Sequence, residues 1–166
     1  MIFVTVGTHE QPFNRLLQCI DKLVEDGTIT EDVLIQAGYS TYEPKYCNWQ
    51  KLFSYKEMEK NVAYARIVIT HGGPSSFIMP LQMGKTPIVI PRKSKFNEHV
   101  NNHQVEFSHA VADRMGTIIV VEDTEMLGET LKNYDEIVAG MSVGLSSNNA
   151  KFCSAFEKVV DEIFNK

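Results

Sequence analysis

The sequence predicts an α/β fold, a doubly wound parallel sheet of the Rossmann-like type. Five short apolar runs have the composition of strands that are buried on both faces, and they cover residues 2–6, 33–36, 67–70, 88–90 and 117–121. Segments with apolar residues at helical spacing separate these runs, and glycine-rich turns follow three of them. Strands that alternate with helices in this way form a parallel sheet, whose ligands bind at the carboxyl ends of the strands.

The connecting segments follow in chain order from their periodicity and their stop signals. Helices are predicted over residues 12–25, 55–65, 74–84, 98–115, 126–134 and 149–164. Asp26-Gly27 ends the first helix, and Gly116 caps the fourth. A loop is predicted over residues 39–49, a brief strand at Leu52-Phe53, and a polar hinge or helix cap over residues 146–149.

The last predicted helix carries an apolar stripe, formed by Phe152, Phe156, Val159, Val160, Ile163 and Phe164. Such a stripe is most often part of the core, and in a protein with a partner it can be an interface. The sequence leaves both alternatives open.

Length and composition favour one globular domain over residues 1–166, with 43% hydrophobic residues. The net charge of -5 argues against a nucleic-acid binder, which needs a basic face. The three cysteines form no CxxC pair, so neither a disulfide framework nor a zinc knuckle is indicated, and a reducing cytoplasm suits them. The first residues lack the features of a signal peptide, and no run reaches the about 18 apolar residues of a membrane span. Contact with a membrane is therefore expected only through a surface or a partner.

The turn His71-Gly72-Gly73-Pro74-Ser75-Ser76 is the strongest local signal for a ligand. The two glycines allow a sharp bend and a close approach of the backbone to a ligand, and Pro74 suits the first position of a helix. Free N–H groups at such a helix start favour a phosphate. The alternative is a tight turn with no ligand.

Two other turns are predicted at the same edge of the sheet. Gly7-Thr8-His9 follows the first strand, and Gly38 follows the second. Because the carboxyl ends of parallel strands meet at one edge, the three turns converge, which strengthens the prediction of a ligand site.

Four motifs together resemble the C-terminal, nucleotide-sugar-binding half of glycosyltransferase family 28, of the two-domain B fold. They are TVGTHEQPFNRLL, HGGPSS, GKTPIVIPR and EHVNNHQ, within residues 1–122. The sequence also looks similar to bacterial capsular and exopolysaccharide galactosyltransferase subunits and to the small catalytic subunit of the dolichol-diphosphate N-acetylglucosaminyltransferase.

The resemblance implies a subunit that binds a UDP-sugar donor, with galactose as one candidate sugar. In the family the other half binds the lipid-linked acceptor, so a membrane-associated partner subunit and a polyprenyl-diphosphate-linked sugar acceptor are expected. The chain would then be cytoplasmic and peripheral at the inner face of the cell membrane. The basic loop with Arg92, Lys93 and Lys95 would face a lipid diphosphate or an anionic membrane surface, or would simply be solvated. Arg92 is also expected among the residues that bind the donor.

Such a transfer needs charge stabilisation on the leaving diphosphate and a base for the acceptor hydroxyl. The sequence places no acidic pair of the DxD type at a strand end, so a mechanism without a metal ion is predicted, and no cofactor is expected. The first hypothesis is an inverting transfer. Donors to the diphosphate are expected from Gly7, Thr8, Gly72, Gly73, Ser75 and Ser76. His9 is the first candidate for the base and Glu10 the second, unless the other half supplies it, while His71 is expected to assist binding or turn geometry.

The predicted fourth helix begins with a polar cluster. His99 and His103 have the i, i+4 spacing of a zinc helix, but a third ligand is not evident. The resemblance instead places His103 and Gln104 at the donor sugar, with Glu98 and Asn102 nearby. Many relatives carry a ribose-binding Glu where this chain has Met79, followed by Pro80, so ribose must be recognised differently here.

Two other functions remain open from the sequence. The chain could be a non-catalytic subunit that binds a nucleotide or stabilises an enzymatic partner. It could also be an unrelated nucleotide-sugar enzyme, such as an epimerase.

Overall fold

The structure is a computed structural model that describes residues 1–141 and 149–164. Six parallel strands form one sheet in the order β3-β2-β1-β4-β5-β6. The strands are β1 (Ile2–Thr5), β2 (Val33–Gln36), β3 (Asn48–Gln50), β4 (Ile67–His71), β5 (Ile88–Ile90) and β6 (Ile119–Val120). The helices are α1 (Asn14–Glu25), α2 (Tyr55–Tyr64), α3 (Pro74–Gln82), α4 (His103–Met115), α5 (Leu127–Lys132), α6 (Tyr134–Gly140) and α7 (Asn149–Phe164). The predicted doubly wound parallel sheet is confirmed.

The central strands are buried on both faces, as their continuous apolar runs predict. β1 and β4 pair in register from Ile2 opposite Ile67 to Thr5 opposite Thr70. Because side chains alternate along a strand, Ile2 and Val4 pack on the α1 side while Phe3 packs on the opposite side, against α2. Helices therefore cover both faces of the sheet, and its carboxyl edge is left for ligands.

Two predicted elements differ in position from the observed ones. The third strand is Asn48–Gln50 rather than Leu52-Phe53, and it forms the edge of the sheet beside β2. The predicted helix over residues 126–134 is a 3-10 turn at Thr124–Met126 followed by α5 and α6, which Asn133 separates. Both differences are local and leave the topology unchanged.

The predicted start of the fourth helix at Glu98 is wrong, because α4 begins at His103. The residues before it form a short 3-10 helix, Ser94–Phe96, and a turn with Asn97 in the left-handed region at φ 56°. Asn side chains then take backbone partners: Asn102 accepts from the N–H of Ser94, and Asn101 accepts from the N–H of His103. Such local bonds compete with helical ones and delay the helix. Gly116 caps α4 in the left-handed conformation, as predicted.

The last helix, α7, has the predicted bounds, but its apolar stripe is exposed. Phe152 is 63% exposed and Ile163 is 62% exposed, so of the two alternatives the stripe is not part of the core. Of the predicted polar cap, residues 146–148 lie outside the described residues. Within the part of the chain that the structure describes, no helix has the length and apolarity needed to cross a membrane.

Candidate functional site

The two central strands, β1 and β4, define the crevice of the fold. From β1 the chain crosses to β2 on one side, and from β4 it crosses to β5 on the other, so the strand order reverses between them. In open parallel sheets, ligands bind in the crevice beyond this point. A cavity of about 440 Å³ lies there, lined by Thr5, Gly7, Thr8, His9, Gln36, Phe53, Tyr55, Met58, Val62, His71, Ser75, Ser76 and Met79. The predicted convergence of the first and third turns is confirmed by this lining.

His71 closes the end of β4 and holds the two glycine turns together. A Cβ atom on Gly7 would lie 2.4 Å from His71 Cε1, and one on Gly73 would lie 2.4 Å from His71 Nε2. The imidazole therefore fills the space that both glycines leave, and Gly7 also needs its positive φ of 74°. Burial, with a smaller contribution from the charge of Arg92, lowers the pKa of His71 to about 4, so the ring is neutral near pH 7.

The amino end of α3 borders the cavity. Pro74 occupies the first turn, and the N-cap residue Gly73 makes no side-chain cap bond. The N–H of Ser76 donates to the carbonyl oxygen of Gly73 at 3.0 Å. Ser75 is exposed, and the hydroxyl of Ser76 lies 3.4 Å from His71 Nε2. This uncapped helix start offers backbone donors and the positive end of the helix dipole to an anion in the cavity.

A fixed hydrogen-bond chain forms the floor of the cavity. The hydroxyl of Thr5 accepts from the backbone N–H of Gly7 at 3.2 Å and from the amide of Gln36 at 3.1 Å. The carbonyl oxygen of that Gln36 side chain accepts from the N–H of Phe53 at 3.1 Å. These bonds orient the loop after β3 toward β1.

The far wall of the cavity is apolar and aromatic. Phe53, Tyr55, Met58, Val62 and Met79 form it, on α2, on α3 and on the loop after β3. Sequence reasoning named Met79 only as a departure from the relatives and missed Gln36, Phe53 and Tyr55 as lining residues. Gln36 is the last residue of β2, and Phe53 and Tyr55 follow the end of β3. Positions at or after the carboxyl ends of strands are where ligands bind in such sheets, so the sequence did carry a signal for these residues.

His9 lines the cavity from the loop between β1 and α1. Its Nδ1 atom accepts from the N–H of Gln11 at 3.2 Å, and its ring lies 4.9 Å from the ring of His99, at 46°. Burial and then the charge of Arg92 lower the pKa of His9. Glu10, the second predicted base, is exposed and is not among the residues that line the cavity.

Arg92 and Glu98, both predicted to contact the donor, are buried beneath the loops instead. The guanidinium of Arg92 donates to the carbonyl oxygens of Val6 at 2.8 Å, Gln11 at 2.7 Å and Glu98 at 3.0 Å. The carboxylate of Glu98 accepts from Arg15 twice at 2.9 Å and from the N–H of Lys93 at 3.0 Å. Arg92 is 0% exposed, so the prediction that it faces a lipid diphosphate or a membrane is wrong.

The remaining predicted residues lie around the start of α4. Gln104 is buried, and its Oε1 accepts from the N–H of Arg92 at 3.2 Å, while its Cβ atom lies 2.9 Å from where a Cβ of Gly72 would be. His103 is exposed and stacks on Phe107, and Asn102 bonds Ser94. The zinc-helix spacing fails, because His99 precedes α4. Nowhere in residues 1–141 and 149–164 do three or more His, Cys, Asp or Glu side chains form a group that could hold a metal.

The sheet order defines a Rossmann-like α/β protein with a cavity at the β1/β4 switch point. The model of the glycosyltransferase family 28 C-terminal domain matches residues 1–162, and the chain belongs to this family. The chain is also 31% identical over 116 residues to the Homo sapiens UDP-N-acetylglucosamine transferase subunit ALG13. That match covers 64% of this chain and 10% of the human protein, so the chain spans about a tenth of its relative's length.

Solved glycosyltransferases have the same fold at low sequence identity. SnogD from Streptomyces nogalater matches with a TM-score of 0.57 and 16% identity, over 80% of this chain and 34% of that one. The kitacinnamycin glycotransferase matches with a TM-score of 0.59 and 13% identity, over 84% of this chain and 34% of that one. At these identities the likeness shows the fold alone. The predicted family and its Rossmann-like fold are confirmed.

Proposed function

We propose that the chain is the donor-binding and catalytic subunit of an inverting, metal-independent glycosyltransferase that uses a UDP-sugar. The observation that carries the proposal is the two-ended cavity at the switch point. One end has the uncapped amino terminus of α3 and the Gly7-Thr8 turn, and the other has an apolar, aromatic wall. A nucleoside diphosphate has the matching pair of features, an anionic diphosphate and a flat base.

The uncapped end of the cavity suits the leaving group of the transfer. When the bond at the anomeric carbon breaks, negative charge grows on the diphosphate, and N–H groups fixed in place beforehand stabilise it. Ser75 and Ser76 add hydroxyls at this end, and Thr8 adds one from the opposite turn. These donors act without a metal ion.

The apolar end suits a base and ribose. Phe53 and Tyr55 offer aromatic surface, and the side chains of Met58 and Met79 are polarisable and adaptable. Uridine is the base we propose, because the human relative's name specifies a UDP-sugar. Galactose and N-acetylglucosamine are the two sugars to test first, the former from the resemblance of the sequence and the latter from that name.

A second polypeptide completes the proposed enzyme. The human relative is named as a subunit, which supports a partner chain. The exposed apolar stripe of α7 also supports a contact with another protein. We propose that this partner is membrane-associated and presents a polyprenyl-diphosphate-linked acceptor for polysaccharide synthesis at the inner face of the membrane.

Thermal unfolding in the presence of nucleotides tests the proposal on the chain alone. UDP, UDP-galactose and UDP-N-acetylglucosamine are each expected to stabilise the chain more than GDP does. At a hundredfold excess over its dissociation constant, a ligand raises the free energy of unfolding by about 2.7 kcal/mol relative to the chain without ligand. Ser75→Asp places a carboxylate at the exposed first turn of α3 and is expected to remove this stabilisation. Thr30→Asp makes the same charge change at an exposed position just before β2, at the other edge of the sheet, and serves as the matched control.

Each outcome of this titration has a clear reading. Stabilisation by uridine compounds that Ser75→Asp removes and Thr30→Asp keeps supports the donor site. Equal stabilisation by GDP and UDP contradicts the uridine assignment. If no nucleotide stabilises either the chain or its co-purified complex, the donor-binding function is wrong.

A further inference from the structure

Two histidines meet at the rim of the cavity, His9 on the loop after β1 and His99 on the connection between β5 and α4. We infer that they have opposite tautomers and opposite roles: His9 donates an N–H to the leaving diphosphate, and His99 is the base for the acceptor hydroxyl. The inference rests on the proposed function and assigns the proton transfer within it. It differs from the sequence prediction, in which His9 was the base.

The hydrogen bond at Nδ1 determines the proton on His9. This nitrogen accepts from the backbone N–H of Gln11 at 3.2 Å, so it carries a lone pair and no hydrogen. A neutral imidazole has one N–H, which must then be on Nε2. Buried Arg92 bonds the carbonyl oxygen of Gln11 at 2.7 Å and so holds the loop that imposes this tautomer. His9 therefore offers a donor, rather than a lone pair, from Nε2.

The same kind of contact gives the opposite result for His99. Its Nδ1 lies 3.1 Å from the side-chain oxygen of Asn101 and 3.4 Å from the N–H of Asn101. The N–H of His103 donates to that same oxygen at 3.1 Å, which fixes which end of the amide faces His99. Nδ1 cannot both accept from the N–H of Asn101 and donate to this oxygen, and the oxygen contact is the shorter of the two. An amide oxygen only accepts, so we assign the hydrogen to Nδ1 and the lone pair to Nε2.

The positions of the two rings match these roles. His9 lines the cavity together with Ser75 and Ser76 of α3, whereas His99 is not among the lining residues and its ring lies 4.9 Å from that of His9. The donor occupies the cavity, so an acceptor must approach from its rim. His99 is partly exposed beside His9, and the inference assigns its Nε2 atom to the incoming hydroxyl.

The resulting step is balanced in protons and electrons. The acceptor oxygen attacks the anomeric carbon, and its proton passes to Nε2 of His99. The bond between the anomeric carbon and the diphosphate oxygen breaks, and its electron pair stays on that oxygen. The N–H of His9 and the backbone donors of α3 stabilise this charge, and His99 later releases its proton to water.

Nitrogen-15 NMR of the histidine rings tests the tautomers directly on the unmodified chain, with UDP as the probe. His9 is expected to carry its hydrogen on Nε2 and His99 on Nδ1, with the resonances assigned from the His9→Gln and His99→Gln spectra. UDP is expected to shift the Nε2–H signal of His9 more than any signal of His99. The reverse tautomer at either ring overturns the inference while leaving the proposed function intact. If the tautomers are as expected but UDP moves neither ring, the donor role of His9 is wrong, and the thermal titration decides separately whether UDP binds.

Steady-state kinetics of the complex with its partner measure the roles of His9 and His99. His99→Gln is expected to lower kcat for UDP release by about a hundredfold with little change in KM for the donor, the loss typical of a missing general base. His9→Gln keeps an N–H donor and is expected to lose less activity than His9→Leu, which has none. A greater loss in His9→Gln than in His99→Gln, or equal losses in His9→Gln and His9→Leu, contradicts the assignment.

Discussion

The two sides of the crevice are built from different chemistry. On the cavity side, the described lining residues include no carboxylate, lysine or arginine, and the polar groups are backbone donors, hydroxyls, an amide and two histidines. On the α4 side, Arg15, Arg92 and Glu98 form a buried network under the loops. The comparison shows that these charged side chains hold the loops, while the candidate site has a helix terminus and neutral groups.

Removal of Arg92 tests whether the buried network holds the loops, and it is expected to cause the largest loss of stability. Arg92→Met leaves the carbonyl oxygens of Val6, Gln11 and Glu98 without this donor, inside the protein. Loss of one member of a buried charged network costs about 3–5 kcal/mol. Urea unfolding at pH 7 measures this loss.

Lys93→Met is the matched control for Arg92→Met, since it removes the neighbouring positive charge. Lys93 pairs with Glu122, which is 40% exposed, and such a pair contributes up to about 1 kcal/mol. Similar losses in the two variants would show that Arg92 has no special structural role. A large loss of stability in Arg92→Met together with weaker UDP binding would connect the buried network to the cavity.

On the cavity side, the lowered pKa of His71 makes the stability of the protein depend on pH, which tests whether this ring is buried and neutral. Its folded-state pKa is lowered from 6.5 to about 4, so between these values the unfolded chain binds a proton that the folded chain does not. The part of the free energy of unfolding that comes from this pKa difference is fully present above about pH 6.5. It is lost as the pH falls, by up to about 3 kcal/mol at pH 4. Urea midpoints at pH 7 and pH 4.5 measure the loss in the natural sequence.

His71→Phe is the control for this pH dependence, because its ring does not titrate. Between pH 7 and pH 4.5 the urea midpoint of His71→Phe is expected to fall less than that of the unsubstituted protein. The difference between the two falls is the contribution of His71. Asp21, Glu31 and Glu122, whose pKa values are also lowered in the fold, continue to titrate in both proteins. Parallel slopes in the two proteins would rule out the neutral, buried His71.

The fit of His71 between two glycine turns gives a smaller and more local test. Gly7→Ala adds a Cβ 2.4 Å from the ring of His71 at a φ of 74°, whereas Gly27→Ala has nearly the same φ, 76°, and no atom within 4 Å. The left-handed backbone alone costs about 1–2 kcal/mol, so Gly27→Ala is expected to lose about 1 kcal/mol and Gly7→Ala at least about 2. Thermal unfolding of both, and of Gly7→Ala with His71→Ala, shows whether the excess comes from the ring.

Much of this fold follows from the sequence, because buried parallel strands and their glycine turns have strong local patterns. β1, β2, β4 and β5 lie where their apolar runs predict. The short edge strand β3 is exposed, so it lacks the continuous apolar run that identifies the others. α4 begins late because Asn101 and Asn102 bond local backbone groups, a choice that apolar periodicity does not reveal.

The candidate site follows from the sequence only in part, for a different reason. Gly7, His9 and Ser75 lie at the edge of the sheet that strand order fixes, so local motifs locate them. Whether a charged residue at that edge faces the ligand or the interior depends on long-range partners. Arg92 bonds Val6 and Gln11 from far along the chain, and no local pattern carries that information.

The smallest expected effect comes from a carboxylate introduced into the neutral lining of the cavity, and it is an effect on UDP binding. Met79 stands where many relatives, by the resemblance of the sequence, have a Glu that binds ribose hydroxyls, and it lines the cavity on α3. Met79→Glu is expected to strengthen UDP binding by about 1 kcal/mol, roughly fivefold, because a hydrogen bond to a charged acceptor is partly offset by the loss of apolar contact. Titration calorimetry with UDP and 2′-deoxy-UDP, beside Met79→Gln, measures how much of the gain needs both the charge and the 2′-hydroxyl. An equal gain with the deoxy compound would mean that the carboxylate does not face the ribose, and a loss of binding would mean that the apolar wall itself recognises the nucleoside.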